Sequence, residues 1–299
     1  MRFFFAVVSS SLRGSIAIMN LSIVIPTCDR PKSVNRAISS VWENGGKSCE
    51  IVVVDDGTQT PFHSEFDSEA IQIVRTSGRT GASAARNLGV RTATGDFILF
   101  LDDDDVFQHH YVELVSRHIL EKKHRVGACN TSKKLFVTAD SVVDKTTKLK
   151  RSLFGAGMGF WIERELFLNL NGFDESLHID EDTDLCVRIR AHNIPIFVSK
   201  CIGVEISPQD GDRNDKARLT HSTSNQSAAA CYVKTANKNI SSPALSFFDK
   251  FYLVSRSARK FSKTSSSARQ GGLQKGCTIW KLLFKFLVSL HRIGKIKPS

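Results

Sequence analysis

The sequence predicts an α/β fold, a mostly parallel central sheet with helices on both faces, and three observations carry that reading. Short Val- and Ile-rich runs alternate with helical-period segments over the first 125 residues. Each run is too short for a helix and is bounded by turn formers, so it reads as a buried strand. Three of the runs end in polar clusters, and a parallel sheet gathers such ends on one edge, where ligands bind.

Leu21–Pro26 reads as a first strand, stopped by Pro26. Residues 31–43 read as a helix with Pro31 in its first turn and Val34, Ala37, Ile38 and Val41 on its apolar face. Ile51–Val54 is a second strand, ending in Asp55-Asp56-Gly57, and Ile71–Val74 is a third. A loop with Gly78 and Gly81 leads into a helix near 83–92. A fourth strand over 96–101 runs into Asp102-Asp103-Asp104-Asp105, and a helix comes next near 110–122. Beyond residue 125 the pattern loosens, with weak strand character at Leu135–Val137 and a Gly-rich loop at Gly155–Gly159 before Phe160-Trp161-Ile162. Helices are expected near 163–170, 182–191, 222–236 and 244–260. A short strand is expected at Pro195–Val198, and a Ser-rich linker at Ser262–Gly272.

Charge divides the chain. Residues 211–299 hold 17 Lys+Arg against 3 Asp+Glu, whereas residues 1–210 hold 24 against 27. A near-neutral front and a basic back suit nucleic acid, an anionic lipid surface, an acidic partner or mere solubility. The seven cysteines are odd in number and form no CxxC pair, so neither a disulfide framework nor a zinc site is indicated. Residues 3–8 resemble the start of a signal peptide, but the apolar run is short and is soon interrupted by Arg13; a start at Met19 is the alternative. No apolar stretch is long enough to span a bilayer. The expected division is an N-terminal extension over 1–19, a catalytic domain over 20–210, a helical part over 211–262, and a linker with a basic amphipathic tail over 263–299.

Four adjacent carboxylates repel one another unless a cation neutralises them, and hard oxygen ligands suit Mg²⁺ or Mn²⁺ bridging to phosphates. A solvated acidic turn is the plainer alternative. The same edge offers an acceptor for a nucleobase N–H (Asp55) and cations for phosphate (Arg30, Arg79, Arg86). Neither a GxGxxG turn nor a GxxxxGK[ST] loop is present, so a diphosphate held by metal and arginines points to a sugar nucleotide.

Six segments in order then resemble glycosyltransferase family 2, the large inverting family with the GT-A fold. They are Ile23–Thr27, Val53–Gly57, Gly81 with Ala85-Arg86-Asn87, Phe100–Asp105, Gly172–Glu175, and Glu181–Leu185 with Arg188. The resemblance covers residues 20–200. It implies that Asp55 bonds the nucleobase, that Pro26, Thr27 and Arg30 line the nucleotide pocket, and that Arg86 and Asn87 shape it, with a structural role for Arg86 left open. Asp102 and Asp104 match the DxD signature, with Asp103 where a small residue is usual. Asp104 would ligate Mn²⁺ or Mg²⁺, Asp102 the ribose or the metal, and Asp105 would support them. Asp182 matches the base that takes the acceptor proton, although an Asp there also suits a helix cap. Asp184 and Arg188, four apart, read as an internal ion pair. His221 is a candidate for metal or diphosphate. Gly157, Trp161 and Glu181 fall on the acceptor side, and Trp161 suits either a sugar ring or the core.

Ile279, Trp280, Leu282, Leu283, Phe286, Leu287, Leu290 and Ile293 form an apolar stripe beside Lys281, Lys285, Arg292, Lys295 and Lys297. This fits a helix lying on an anionic leaflet, or one packed on the domain. The expected function is therefore transfer of a sugar from a UDP-sugar or similar donor to a glycan or glycolipid of the cell envelope, such as lipopolysaccharide. The expected place is the cytoplasm, peripheral to the inner face of the membrane, with no nucleic-acid partner. A sugar nucleotidyltransferase and an inactive nucleotide-sugar-binding homologue are the alternatives. The first should show a Gly-rich basic loop after the first strand, which is absent, and the second should have lost Asp104 or Asp182, which are present.

Overall fold

The computed structural model describes residues 20–122, 124–151, 153–155, 157, 159–207 and 225–265. The extension before residue 20, His221 and the tail beyond residue 265 lie outside the described residues.

Four parallel strands form one half of the sheet, in the order β3-β2-β1-β4. They are β1 (Leu21–Thr27), β2 (Glu50–Asp55), β3 (Ile71–Arg75) and β4 (Phe97–Phe100). The chain leaves β1 towards β2 on one side, and β4 lies on the other. The crevice beyond the carboxyl ends of β1 and β4 is thus a topological switch point, the place where open α/β sheets take ligands. Pro26 does not stop β1. It pairs with Val54 on one side, while the ladder to β4 ends at Val24, so Pro26 has a neighbour on one side only.

The other half of the sheet is mixed. It holds β5 (Val106–Phe107), β6 (Val126–Thr131), β7 (Ser141–Val143), β8 (Trp161–Glu163) and β9 (Ile196–Glu205). β8 lies antiparallel between β4 and β6, β6 runs parallel to β9, and β5 and β7 flank β9 antiparallel. The strand expected at Leu135–Val137 is not formed. Asn130 instead bonds the backbone of Phe136 and Val137 and holds that stretch as a loop.

Alternation along the strands builds two cores. Val24, Ile98 and Phe100 face one side, under α2 (Ala82–Thr92), α4 (Arg164–Asn169) and α5 (Glu181–Ala191). Ile23, Ile25, Leu99 and Leu101 face the other, under α1 (Pro31–Glu43) and α3 (Tyr111–Lys122). Phe100 anchors the first core, with ring centroids 5.7 Å from Phe167 and 5.5 Å from Phe173. Such aromatic pairs add roughly 0.5–1.5 kcal/mol each beyond their area. Helix α2 sits very close to the sheet, because at Gly89 a Cβ would lie 2.4 Å from a Val24 methyl.

Helices α6 (Asn225–Asn239) and α7 (Phe247–Ser265) form a hairpin against α5 and the 3-10 turn at Leu149–Arg151, around a third core of Leu149, Val187, Val233, Ala236, Leu245 and Leu253. α7 runs through Ser265, so the linker expected from Ser262 begins inside a helix. Buried ties fasten the hairpin: Asp184, fully buried, pairs with Arg188 at 2.9 Å and Lys238 at 3.0 Å, and Arg190 pairs with Asp249 at 3.2 Å. The Asp184–Arg188 pair is the internal one the spacing predicted.

Candidate active site

The switch-point crevice collects the polar strand ends. Thr27, the last residue of β1, donates its hydroxyl to Asp103 at 2.8 Å. Arg30, just before α1, reaches Asp103 at 2.9 Å and Asp104 at 3.1 Å. Asp103 is strongly enclosed, 6% exposed, and burial pushes its pKa up to about 6 against the pull of Arg30. This explains why the acidic cluster tolerates four consecutive aspartates: one is shielded, and a guanidinium lies between two of them.

Asp102 turns the other way. Arg86 of α2 donates to Asp102 at 2.6 Å and to Glu181 at 3.1 Å. Arg86 is 7% exposed, and its guanidinium lies 5.7 Å from the Phe173 ring centroid. Burial works against its charge, but Asp102, Glu181 and Asp182 outweigh burial and raise its pKa. Arg86 thus joins the acidic cluster to the start of α5. Burial raises the pKa of Glu181, with Arg86 opposing. Glu181, expected on the acceptor side, is turned inward against Arg86 instead. Asn87, the next residue after Arg86, bonds both backbone groups of Phe173 and the Glu175 carboxylate, so it holds the 172–175 turn and shapes the crevice from behind.

Asp182 lies in the first turn of α5, and the N-cap is Asp180. Asp182 is therefore not the cap. Two glycines lie directly on the carboxylates: a Cβ at Gly155 would stand 2.5 Å from Asp182 Oδ2, and one at Gly157 would stand 2.7 Å from Asp102 Oδ2. Thr27, Arg30, Asp103 and Asp104 thus form one bonded group and Arg86, Asp102 and Glu181 a second, which adjoin at Asp102-Asp103, with Asp182 following Glu181 in α5.

Three expected residues stand apart. Asp55 is 1% exposed, and its carboxylate accepts from the backbone N–H of Thr58 and Phe62 and pairs with Arg75 at 3.3 Å. It pins the turn after β2. The neighbouring Asp56 similarly gathers Thr80 and Gly81 at the entry to α2. Arg79 is over half exposed and pairs with Asp29. Trp161 is 1% exposed, on β8, against Gly127, where a Cβ would lie 2.3 Å from its ring. It is a core aromatic and presents no face to a sugar.

Arg36 escaped the sequence reading. It bonds the Asp104 carbonyl at 3.1 Å and the Ser207 hydroxyl at 2.8 Å, while Asp105 accepts from the Ser207 N–H at 3.3 Å. Together they tie the end of β9 to the acidic loop. The only signal was a basic residue in the second turn of the helix after β1, too common to single out.

Among the described residues, no three His, Cys, Asp or Glu are arranged to hold a metal ion as they stand. The donor set still fits Mg²⁺ or Mn²⁺: the carboxylates are hard ligands, and Arg30 already places positive charge between Asp103 and Asp104.

Residues 22–158 match the family model described as Glycosyl transferase family 2. An uncharacterized glycosyltransferase of Haemophilus influenzae is 26% identical over 181 residues, 56% of this chain and 61% of that protein. A pre-mycofactocin glycosyltransferase of Mycobacterium tuberculosis is 24% identical over 57% of this chain and 39% of that protein. The chain therefore spans less than two thirds of the length of either relative. Among solved structures, S. aureus TarS in complex with UDP-GlcNAc superposes with a TM-score of 0.62 at 17% identity, covering 91% of this chain and 81% of TarS. The mannosyltransferase PcManGT from Pyrobaculum calidifontis, in complex with GDP-Man and Mn²⁺, superposes at 0.55 with 14% identity, covering 90% of this chain and 86% of that one. These likenesses establish the GT-A-like fold.

Proposed function

Since residues 22–158 match the model of glycosyltransferase family 2, we propose that the protein moves a sugar from a nucleoside-diphosphate donor, a UDP-sugar first, to a hydroxyl of a cell-envelope glycan or glycolipid, with inversion at the anomeric carbon. The observation that supports the reading is Arg86, a buried arginine that bonds Asp102 of the acidic cluster on one side and Glu181, the residue before Asp182, on the other. Neighbours of the same fold solved with UDP-GlcNAc, and with GDP-Man and Mn²⁺, support a nucleotide-sugar donor and a divalent ion.

In this mechanism Arg30 and the acidic cluster receive the diphosphate end of the donor. When bound, a divalent ion on Asp104 and Asp102 supplies the positive charge that stabilises the leaving diphosphate. Asp182 accepts the proton of the attacking hydroxyl. Its place in the first turn of α5 favours the ionised carboxylate that a base requires. The acceptor hydroxyl attacks the anomeric carbon, the bond to the diphosphate breaks, and the configuration inverts.

A screen of UDP-, GDP- and dTDP-sugars with Mn²⁺, read as nucleotide release with and without acceptor, tests the reading. Release from one donor class, dependent on Asp182, is expected. Silence with every donor would favour a binding protein, and formation of a sugar nucleotide from a nucleoside triphosphate would favour a nucleotidyltransferase.

The basic tail is proposed to hold the enzyme peripherally on an anionic membrane surface. No described helix is long and apolar enough to cross a bilayer. Deleting residues 273–299 should release the protein from anionic vesicles while turnover of a soluble acceptor persists. Equal vesicle binding with and without the tail would refute this.

A further inference from the structure

The first turn of α5 begins at an unusual corner. Asp180, its N-cap, has φ 74°, in the left-handed region that non-glycine residues seldom adopt, and its side chain does not cap the helix. The carboxylate turns back instead. Its Oδ1 accepts from the Thr183 hydroxyl at 2.6 Å and from Arg256 Nη2 at 2.6 Å. Arg256 Nη1 also donates to the Thr183 hydroxyl at 2.9 Å. The three groups form a closed triangle, with the Asp180 side chain only 2% exposed.

Arg256 belongs to α7, far along the chain. Its guanidinium lies 4.5 Å from the Tyr232 ring centroid on α6 and 5.8 Å from that of Tyr252. The arginine is thus gripped by the helical hairpin and grips the corner of α5. The two residues after that corner are Glu181, which pairs with Arg86, and Asp182, which lies under Gly155. A rotation at Asp180 moves both.

We propose that Arg256 is a positioning residue: from the C-terminal hairpin it locks the left-handed corner at Asp180, and so sets where the Asp182 carboxylate stands relative to the acceptor hydroxyl. The inference rests on the reading of Asp182 as the base. It gives the hairpin a part in the chemistry beyond covering α5. Displacement of a reacting group by about 1 Å can cost on the order of 10²-fold in rate, so a loosened corner should act on turnover while nucleotide binding stays intact.

The Arg190–Asp249 pair supplies a control. It fastens α7 to the other end of α5 at 3.2 Å and touches neither Asp180 nor Thr183. Arg256→Met, Arg256→Lys, Arg190→Met and Asp182→Asn should be compared well below their melting temperatures, with kcat from donor turnover and Kd from UDP titration with Mn²⁺. Arg256→Met should lower kcat by about ten- to a hundredfold, leave the UDP Kd within about twofold, and be partly rescued by Arg256→Lys. Arg190→Met should lower the melting temperature with little change in kcat.

Should Arg256→Met fold poorly, Asp180→Gly serves instead. Glycine takes the left-handed conformation freely, so the fold is kept while the carboxylate of the triangle is lost, and kcat should fall in the same way. Normal kcat for Arg256→Met or Asp180→Gly, beside an inactive Asp182→Asn, overturns this inference alone. An equal loss of kcat in Arg190→Met also overturns it, since fastening of α7 would then suffice. An active Asp182→Asn overturns the base reading and this inference with it.

Discussion

At the scale of single residues, neighbouring aspartates stand in different settings. Asp55 and Asp56 stand side by side in the sequence, and both accept from the backbone of turns. Asp182 differs, since the cap position beside it is filled by Asp180. Asp182→Asn therefore separates two roles. Asn matches Asp in size and keeps an acceptor oxygen, so a residue that only supports the turn would tolerate the change. A base would not, and turnover should fall by roughly 10²–10⁴ with near-normal nucleotide affinity. Retention of more than about a tenth of wild-type turnover would remove Asp182 from the base role. Asp104→Ala should abolish Mn²⁺-dependent nucleotide binding and leave the circular dichroism spectrum unchanged, because Arg30 keeps its pair with Asp103. Unchanged Mn²⁺ dependence in this variant would show that another residue holds the ion.

At the scale of elements, the parallel half of the sheet was legible and the mixed half was not. β1, β2 and β4 are buried on both faces and read as continuous apolar runs. β6 carries Gly127, Cys129, Asn130 and Thr131, too polar and small to signal a strand, although every residue in it is buried. β8 is three residues long, and its Trp161 suits a sugar platform or the core equally because a sequence does not reveal which face an aromatic presents. The site divides in the same way. The acidic cluster and Asp182 were marked by type and spacing, while the inward turn of Glu181 and the reach of Arg36 depend on tertiary packing. Helix α2 brings Arg86 to the crevice by lying close on β1. Gly89→Ala should push the helix away, since the new methyl meets Val24 and Val54. Overpacking of this kind costs about 1–3 kcal/mol, which chemical denaturation would measure. A loss well under that would mean that α2 backs off freely.

At the scale of the whole molecule, the C-terminal hairpin is fastened to the catalytic half by charges. Asp174 of the 172–175 turn pairs with Lys238 of α6 at 2.9 Å and accepts from Ser176. Burial alone would raise its pKa, but Ser176 and Lys238 together hold it well below the usual 3.8. A depressed carboxylate contributes stability that is full above its unfolded pKa and is lost as pH falls through the folded one. Unfolding free energy should therefore decline below about pH 4, and Asp174→Asn should flatten that decline. Denaturant titrations across the acid range would show it, and an unchanged slope in the variant would assign the acid loss to other groups. The basic character of residues 211–299 was plain from composition, but the attachment of α6 and α7 to α5 was not. It depends on pairs such as Arg190–Asp249 that are 59 residues apart.

The two glycines that rest on Asp182 and Asp102 leave a mark that can be sought among relatives without purifying any protein. A side chain at position 155 requires the carboxylate at 182 to give way, and one at 157 requires the same of 102. A larger residue in the loop is accommodated by a swing of the carboxylate tip beneath it, so lineages that keep both aspartates in their present orientation should favour glycine at both positions. The two aspartates are thus written twice in the chain, once as acid and once as the empty space above it.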